Sequence, residues 1–334
     1  AHEQKLAKGR NRLVIPVPCE PKEEGEAKLL WTCFDEQGQV LAYQSFTFDI
    51  RLPSEASLDQ LVLIPSPQEL KLAEGTFTVG PEELRIQPGP EGRSRFTAGV
   101  IQSELTRLYG ARVGVRQHVL ADASARVLLG VPGRFPELAA ALKASGTDLP
   151  KLKPEGYLLL VTPEQVLIAG ADDRGAYYGA RTFLQLVAHA TPDGRLPQAP
   201  ACHVLDWPEQ SFRGAMIFTS GWPQDAFDPE VVKEYIYRQI AGYKFNTIVW
   251  QMKAGYRYES WPRLANRCAL NREQMRDVIR FARDHFIELM PNTNILGHAN
   301  WIVLKYPELQ EDGKPHQLCT LHPQTYPMLF DVME

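Results

Sequence analysis

From Phe212 onward, short apolar runs alternate with amphipathic stretches, and this alternation restricts the fold more than any other feature. Phe212–Phe218 (F-R-G-A-M-I-F), Asn246–Met252 (N-T-I-V-W-Q-M) and Glu288–Asn294 (E-L-M-P-N-T-N) have the length and character of strands. After the first, Asp228-Pro229-Glu230 reads as a helix start, with Asp as N-cap and Pro in the first turn. Val232, Ile236 and Ile240 give that helix an apolar face. After the second strand, Asn271-Arg272-Glu273-Gln274 reads as a capping box. Its helix carries Met275, Val278, Ile279, Ala282 and Phe286 on one side. Pro323 is expected to open a third helix running to the last residue. Near-continuous apolar strands separated by helices predict a parallel sheet. A small doubly wound domain would need a glycine-rich phosphate loop after its first strand, and Thr219-Ser220-Gly221-Trp222-Pro223 is not one. The expectation is therefore the first part of a (β/α)8 TIM barrel over residues 206–334. A complete barrel takes about 250 residues, and this segment supplies about half of that.

Upstream the pattern changes. Residues 59–205 read as an α+β domain, a mixed sheet with helices packed on one side. Its expected strands are Leu61–Pro65, Phe77–Val79, Leu84–Ile86 and Arg126–Gly130, with a hairpin of Gly156–Val161 and Gln165–Gly170 around Pro163-Glu164. One helix is expected around Ile101, Leu105 and Leu108, ending at Gly110. A second is expected over Ala176–Val187, led by Asp172-Asp173-Arg174-Gly175. Residues 1–58 read as a β-sandwich-like fragment, with strands at Leu13–Val17, Ala27–Phe34 and Val40–Phe48 and a hairpin turn at Glu36–Gln39. So few strands cannot close a sandwich core.

Several classes are excluded or disfavoured by composition. No apolar run reaches the roughly 18 residues of a membrane span, so no membrane segment is expected. A formal net charge of -4 offers nothing to attract nucleic acid. The five cysteines form no C-x-x-C pair; they read as free buried thiols, with one Cys19–Cys33 bridge as the alternative. No His and carboxylate cluster has metal-ligand spacing, so no metal is expected. The Ala-His-Glu-Gln-Lys start, without Met or an apolar signal core, looks like a cut inside a larger gene product. It leaves the compartment unread, with a secreted or periplasmic one slightly favoured.

In a parallel α/β barrel, ligands meet the C-terminal ends of the strands. Those ends carry Phe218-Thr219-Ser220-Gly221-Trp222, Trp250-Gln251-Met252-Lys253, and Asn292-Thr293-Asn294 with Gly297-His298-Ala299-Asn300. Tyr256, Tyr258 and Trp261 follow the second strand. Aromatic rings with amides and one imidazole suit a neutral polyol, whose C–H faces stack and whose hydroxyls pair. Trp250 is either a stacking platform or a core residue, and His298 either a ligand contact or a packed loop histidine. Arg213, in an otherwise apolar or small strand, either meets a partner carboxylate or reaches ligand hydroxyls with its rigid fork.

Residues 59–334 resemble glycoside hydrolase family 20, the β-N-acetylhexosaminidases. The resemblance rests on Gly156-Tyr157, then Gly170-Ala171-Asp172-Asp173-Arg174-Gly175-Ala176-Tyr177-Tyr178-Gly179-Ala180-Arg181, and on Asp206-Trp207-Pro208 followed by Arg213-Gly214. Asn246 with Trp250, and Pro291 with Gly297-His298-Ala299, extend it. It implies an α+β domain before a (β/α)8 barrel and removal of terminal β-linked N-acetylhexosamine from a glycan, by substrate-assisted retention without a cofactor. By resemblance Arg213 would bind hydroxyls of the terminal sugar and His298 would support the site; Trp250 and Asn294 complete the candidate substrate-binding set. Phe218, Gln251, Asn292 and Asn294 replace residues usual in the family, which keeps a non-catalytic glycan-binding relative as the alternative. The family's catalytic Asp-Glu pair follows the fourth barrel strand. It would lie beyond Glu334, so no catalytic residue is nominated within the chain.

Overall fold

The computed structural model describes residues 25–34, 40–50, 61–116, 126–191, 196–218 and 228–333. The strand expected at Leu13–Val17, the Cys19–Cys33 pairing, the turn at Glu36–Gln39 and the loop Thr219–Pro223 lie outside the described residues. The chain divides into two compact units, residues 1–60 and 61–334. In the first, β1 (Gly25–Phe34) pairs antiparallel with β2 (Val40–Ile50), with a register irregularity between Cys33 and Phe34.

The second unit opens with β3 (Glu69–Thr78), β4 (Leu84–Pro88), α1 (Ser94–Tyr109), β5 (Val113–Val115), β6 (Val127–Gly130) and α2 (Pro136–Ala144). It continues with β7 (Tyr157–Val161), β8 (Val166–Gly170), α3 (Asp173–Ala190) and β9 (Gln198–Asp206). The strands form one mixed sheet in the order β3-β9-β7-β8-β6-β4-β5. Pairing is antiparallel from β3 to β8 and parallel from β8 to β5. The hairpin around Pro163-Glu164 pairs Tyr157 with Gly170 and Val161 with Val166.

Two expectations for this layer need correction. Leu61–Pro65 is not a strand. Pro65 cannot donate to a ladder, and the Ile64 main chain instead bonds the Gln185 side chain on α3. The helices also do not share one side. Tyr157, Leu159 and Ile168 pack toward α1 and α3, whereas Leu158, Leu167 and Ala169 pack against Phe135, Leu138 and Leu142 at α2. Strands apolar on both faces need cover on both faces.

Helix α3 is buried continuously from Gly175 to Phe183, because it has neighbours on two sides. On one it lies close to the sheet: a Cβ at Gly179 would come within 2.6 Å of Ile168 Cγ2. On the other it meets the following segment, where Tyr177 packs on Phe286 with ring centroids 5.3 Å apart. Asp172 caps α3, accepting from Gly175 N at 2.8 Å and from Glu155 N at 2.9 Å.

The remaining elements are β10 (Gly214–Phe218), α4 (Pro229–Tyr235), β11 (Thr247–Gln251), α5 (Arg272–Asp284), β12 (Glu288–Asn292), α6 (Asn300–Val303), β13 (Gln310–Glu311), β14 (Lys314–Leu318) and α7 (Thr325–Met333). Strands β10, β11 and β12 are adjacent in that order and parallel. Asp228 caps α4, and the capping box Asn271/Gln274 is present in full. Past α4 the chain winds through a π turn at Ile236–Ile240 and a tighter turn at Ala241–Tyr243, ending at Lys244 with φ 60°. The last helix starts at Thr325 rather than Pro323, and α6 with the β13–β14 hairpin precedes it.

Candidate functional site

Registration across the three parallel strands sets which side chains share a face. Phe218, Gln251 and Asn292 are level at the C-terminal ends, and Met216, Val249 and Met290 are level two residues earlier. Met216 and Met290 are exposed. Residues one step out of phase, Ile217, Ile248 and Trp250, are buried in the core shared with α4 and α5. Period-two alternation therefore sends Trp250 to the helix side and Gln251 to the opposite face.

The four candidate residues separate accordingly. Trp250 is 2% exposed, and its indole Nε1 has no partner among the described residues. It is packed as a core residue. Asn294 and His298 lie in the loop after β12. The Asn294 side-chain oxygen accepts from Gln251 Nε2 at 2.6 Å, and its main-chain oxygen accepts from the Trp301 indole at 3.1 Å. His298 is exposed with φ 52° and has no partner among the described residues. Tyr258 and Trp261 join a separate small core with Trp301, Ile302 and Met328. Burial there pushes the Tyr258 hydroxyl above its usual range, and Trp261 Nε1 donates to Asp331 at 2.9 Å.

Arg213 immediately precedes β10, at the opposite end from Gln251 and Asn292. Its Nη2 donates to Glu155 Oε2 at 2.6 Å and to the Tyr178 hydroxyl at 2.8 Å. Nε donates to the Lys244 carbonyl at 3.0 Å, and Nη1 to the Gln210 carbonyl at 2.7 Å. The fork is occupied by protein groups, so of the two readings of Arg213 the carboxylate partner is the one present. Glu155 accepts a second guanidinium, Arg174, at 2.7 Å. Beside this pair, Lys244 is 5% exposed and donates to Asp206 at 3.0 Å and to the Tyr157 hydroxyl at 2.9 Å. Desolvation pulls the Lys244 ammonium below its usual range against the opposing pull of Asp206. Burial pushes the Tyr178 hydroxyl up to about 12.

These groups line a cavity of about 270 Å³ with Gln68 and Trp207. In its wall Arg213 pairs with Glu155 and Lys244 with Asp206: it is an ionic clamp between the seven-stranded layer and β10. Sequence reasoning missed Glu155, Tyr178 and Lys244. Glu155 stands in a polar turn and Lys244 just beyond a helical stretch, and neither position carries a local signal. Among the described residues no three His, Cys, Asp or Glu side chains converge as metal ligands.

Residues 60–207, the seven-stranded layer, match the family model described as "Glycosyl hydrolase family 20, domain 2". The chain is 26% identical over 268 residues to a beta-hexosaminidase of Porphyromonas gingivalis, covering 74% of this chain and 32% of that protein. It is 24% identical over 297 residues to beta-hexosaminidase subunit A2 of Dictyostelium discoideum, covering 84% and 51%. In fold it is similar to Streptomyces plicatus beta-hexosaminidase, with TM-score 0.65, 21% identity, and coverage of 81% of this chain and 55% of that one. It is also similar to an exo beta-N-acetylglucosaminidase of Vibrio harveyi, with TM-score 0.62, 18% identity, and coverage of 90% and 50%. The chain is thus similar to glycoside hydrolase family 20 proteins, with the family model covering residues 60–207. It spans about a third to a half of the length of the curated relatives described here.

Proposed function

We propose that this chain is part of an exo-acting β-N-acetylhexosaminidase that removes terminal β-linked GlcNAc or GalNAc from glycans. In this reading residues 206–334 are the start of a (β/α)8 barrel, residues 59–205 the α+β domain that precedes it, and residues 1–58 a β-sandwich-like fragment. The observation that carries the reading is the amide-bearing C-terminal edge of β11 and β12, placed directly after a layer matching the family's domain 2. Neutral amide donors and acceptors suit hydroxyl and acetamido groups better than charged ones.

The reaction is substrate-assisted retention, an exception to the two-carboxylate scheme. The acetamido oxygen of the sugar attacks the anomeric carbon while an acid protonates the leaving oxygen, and water then opens the cyclic intermediate. The Asp-Glu pair serving this chemistry belongs, in this reading, to polypeptide following Glu334. Within the chain Asn294 and His298 remain the proposed sugar contacts. Arg213 acts through the clamp and Trp250 through the core.

The test is hydrolysis of an aryl β-N-acetylglucosaminide by the complete polypeptide that contains these residues. Release of the aryl group with retained anomeric configuration is expected. Sugar binding without turnover would replace the enzyme by a glycan-binding relative, the outcome that the amides at Gln251, Asn292 and Asn294 would then explain.

A further inference from the structure

We propose that Gln251 is a positioning residue that aims the side-chain NH2 groups of Asn292 and Asn294 at an acceptor oxygen of a bound neutral sugar; this rests on the hexosaminide reading above. Gln251 ends β11 on the face opposite Trp250 and is 4% exposed. Its Nε2 donates to Asn294 Oδ1 at 2.6 Å and reaches Asn292 Oδ1 at 3.5 Å. One buried donor group thus holds two amide oxygens. An amide is planar, with oxygen and nitrogen on opposite sides of its carbon. Two oxygens turned toward Gln251 therefore turn two NH2 groups away from it. Neither Nδ2 has a hydrogen-bond partner among the described residues, and both side chains are half-buried.

Asn294 is held a second time through its backbone. Its carbonyl accepts from the indole of Trp301, which is 8% exposed and packed with Ile302 and Val303. Main chain and side chain are both fixed before any ligand arrives, which lowers the ordering cost of binding. Between the two asparagines, the Thr293 hydroxyl is buried without a partner among the described residues. Two amide donors are thus left with hydrogen-bonding capacity at the strand end, with the buried Thr293 hydroxyl between them in sequence. They carry no formal charge, and their chemistry matches the hydroxyls and acetamido carbonyl of an N-acetylated sugar.

The test is calorimetric titration of N-acetylglucosamine into the complete polypeptide, with melting temperature recorded for each variant. Asn294→Ala and Gln251→Met should each weaken binding by about 2- to 10-fold, the range of one neutral hydrogen bond. Gln251→Met added to the Asn292→Ala/Asn294→Ala double variant should bind no more than about twofold weaker than that double variant, because Gln251 acts through those two side chains. Multiplying effects, or unchanged affinity in Gln251→Met, would overturn the assignment. In the wild-type protein the Asn294 side-chain ¹⁵N–H resonances should move as sugar is added, and stationary resonances in a protein that binds sugar would also overturn it. A wild-type protein that does not bind N-acetylglucosamine would defeat the hexosaminide reading itself, an outcome distinct from either.

Discussion

Replacing Arg213 by Lys separates the clamp from a ligand contact. The guanidinium makes four bonds, to Glu155, Tyr178 and the carbonyls of Lys244 and Gln210. A lysine ammonium has shorter reach and no fork, so it can replace the Glu155 contact at most. Hydrogen bonds to charged groups are worth about 1.5–3 kcal/mol singly, and within one network they do not add. Both side chains of the Arg213–Glu155 pair are only 18% exposed, so solvent screening is limited, while Arg174 still serves Glu155 after the change. The net cost expected is about 2–4 kcal/mol. At about 2–4 °C per kcal/mol for a domain of this size, melting should fall by about 4–16 °C. Differential scanning calorimetry of the single variants and of a cycle with Glu155→Gln should give a coupling energy of about 1–3 kcal/mol. A loss below about 0.5 kcal/mol would refute the clamp. Weaker sugar binding with unchanged melting would return Arg213 to direct ligand contact.

Gly170→Ala should cost about 3 kcal/mol or more in urea unfolding, because its Cβ would lie 2.2 Å from Ala176 N and 2.4 Å from Asp172 O, main-chain atoms that cannot rotate aside; a cost under 1 kcal/mol would contradict the packing. Burial holds His285 below its usual pKa, with Arg181 and Arg93 adding to the effect against the Phe281 carbonyl and Asp284. The unfolded chain then binds the extra proton first, so the stability His285 contributes is present above about pH 6.5 and lost as pH falls through its folded pKa. His285→Gln should accordingly flatten the fall in melting temperature between pH 7 and pH 5, and an unchanged slope would count against it. Burial pushes the Cys202 thiol up to about 12, so a thiol reagent at pH 8 should label it only at the rate of unfolding; fast labelling of native protein would show it exposed.

Local chemistry made much of the fold legible. Asp228 before Pro229, the Asn271/Gln274 box and the turn at Pro163-Glu164 act over a few residues, and each stands in the structure where the sequence puts it. Strand–helix alternation likewise predicts the parallel order of β10, β11 and β12, since a chain leaving one strand through a helix returns in the same direction. The long apolar runs of β7 and β8 carried the signal for cover on both faces, although the helix supplying it, α2, was not anticipated. Tertiary structure alone decided the site. N-T-I-V-W-Q-M is too apolar to show which alternate residues face the helices, so the opposite destinations of Trp250 and Gln251 depend on where α4 and α5 pack. Arg213 and Glu155 are 58 residues apart and Lys244 and Asp206 are 38 apart. Periodicity tells which residues share a face of one element, whereas a charge finds its partner only when separate elements are brought together.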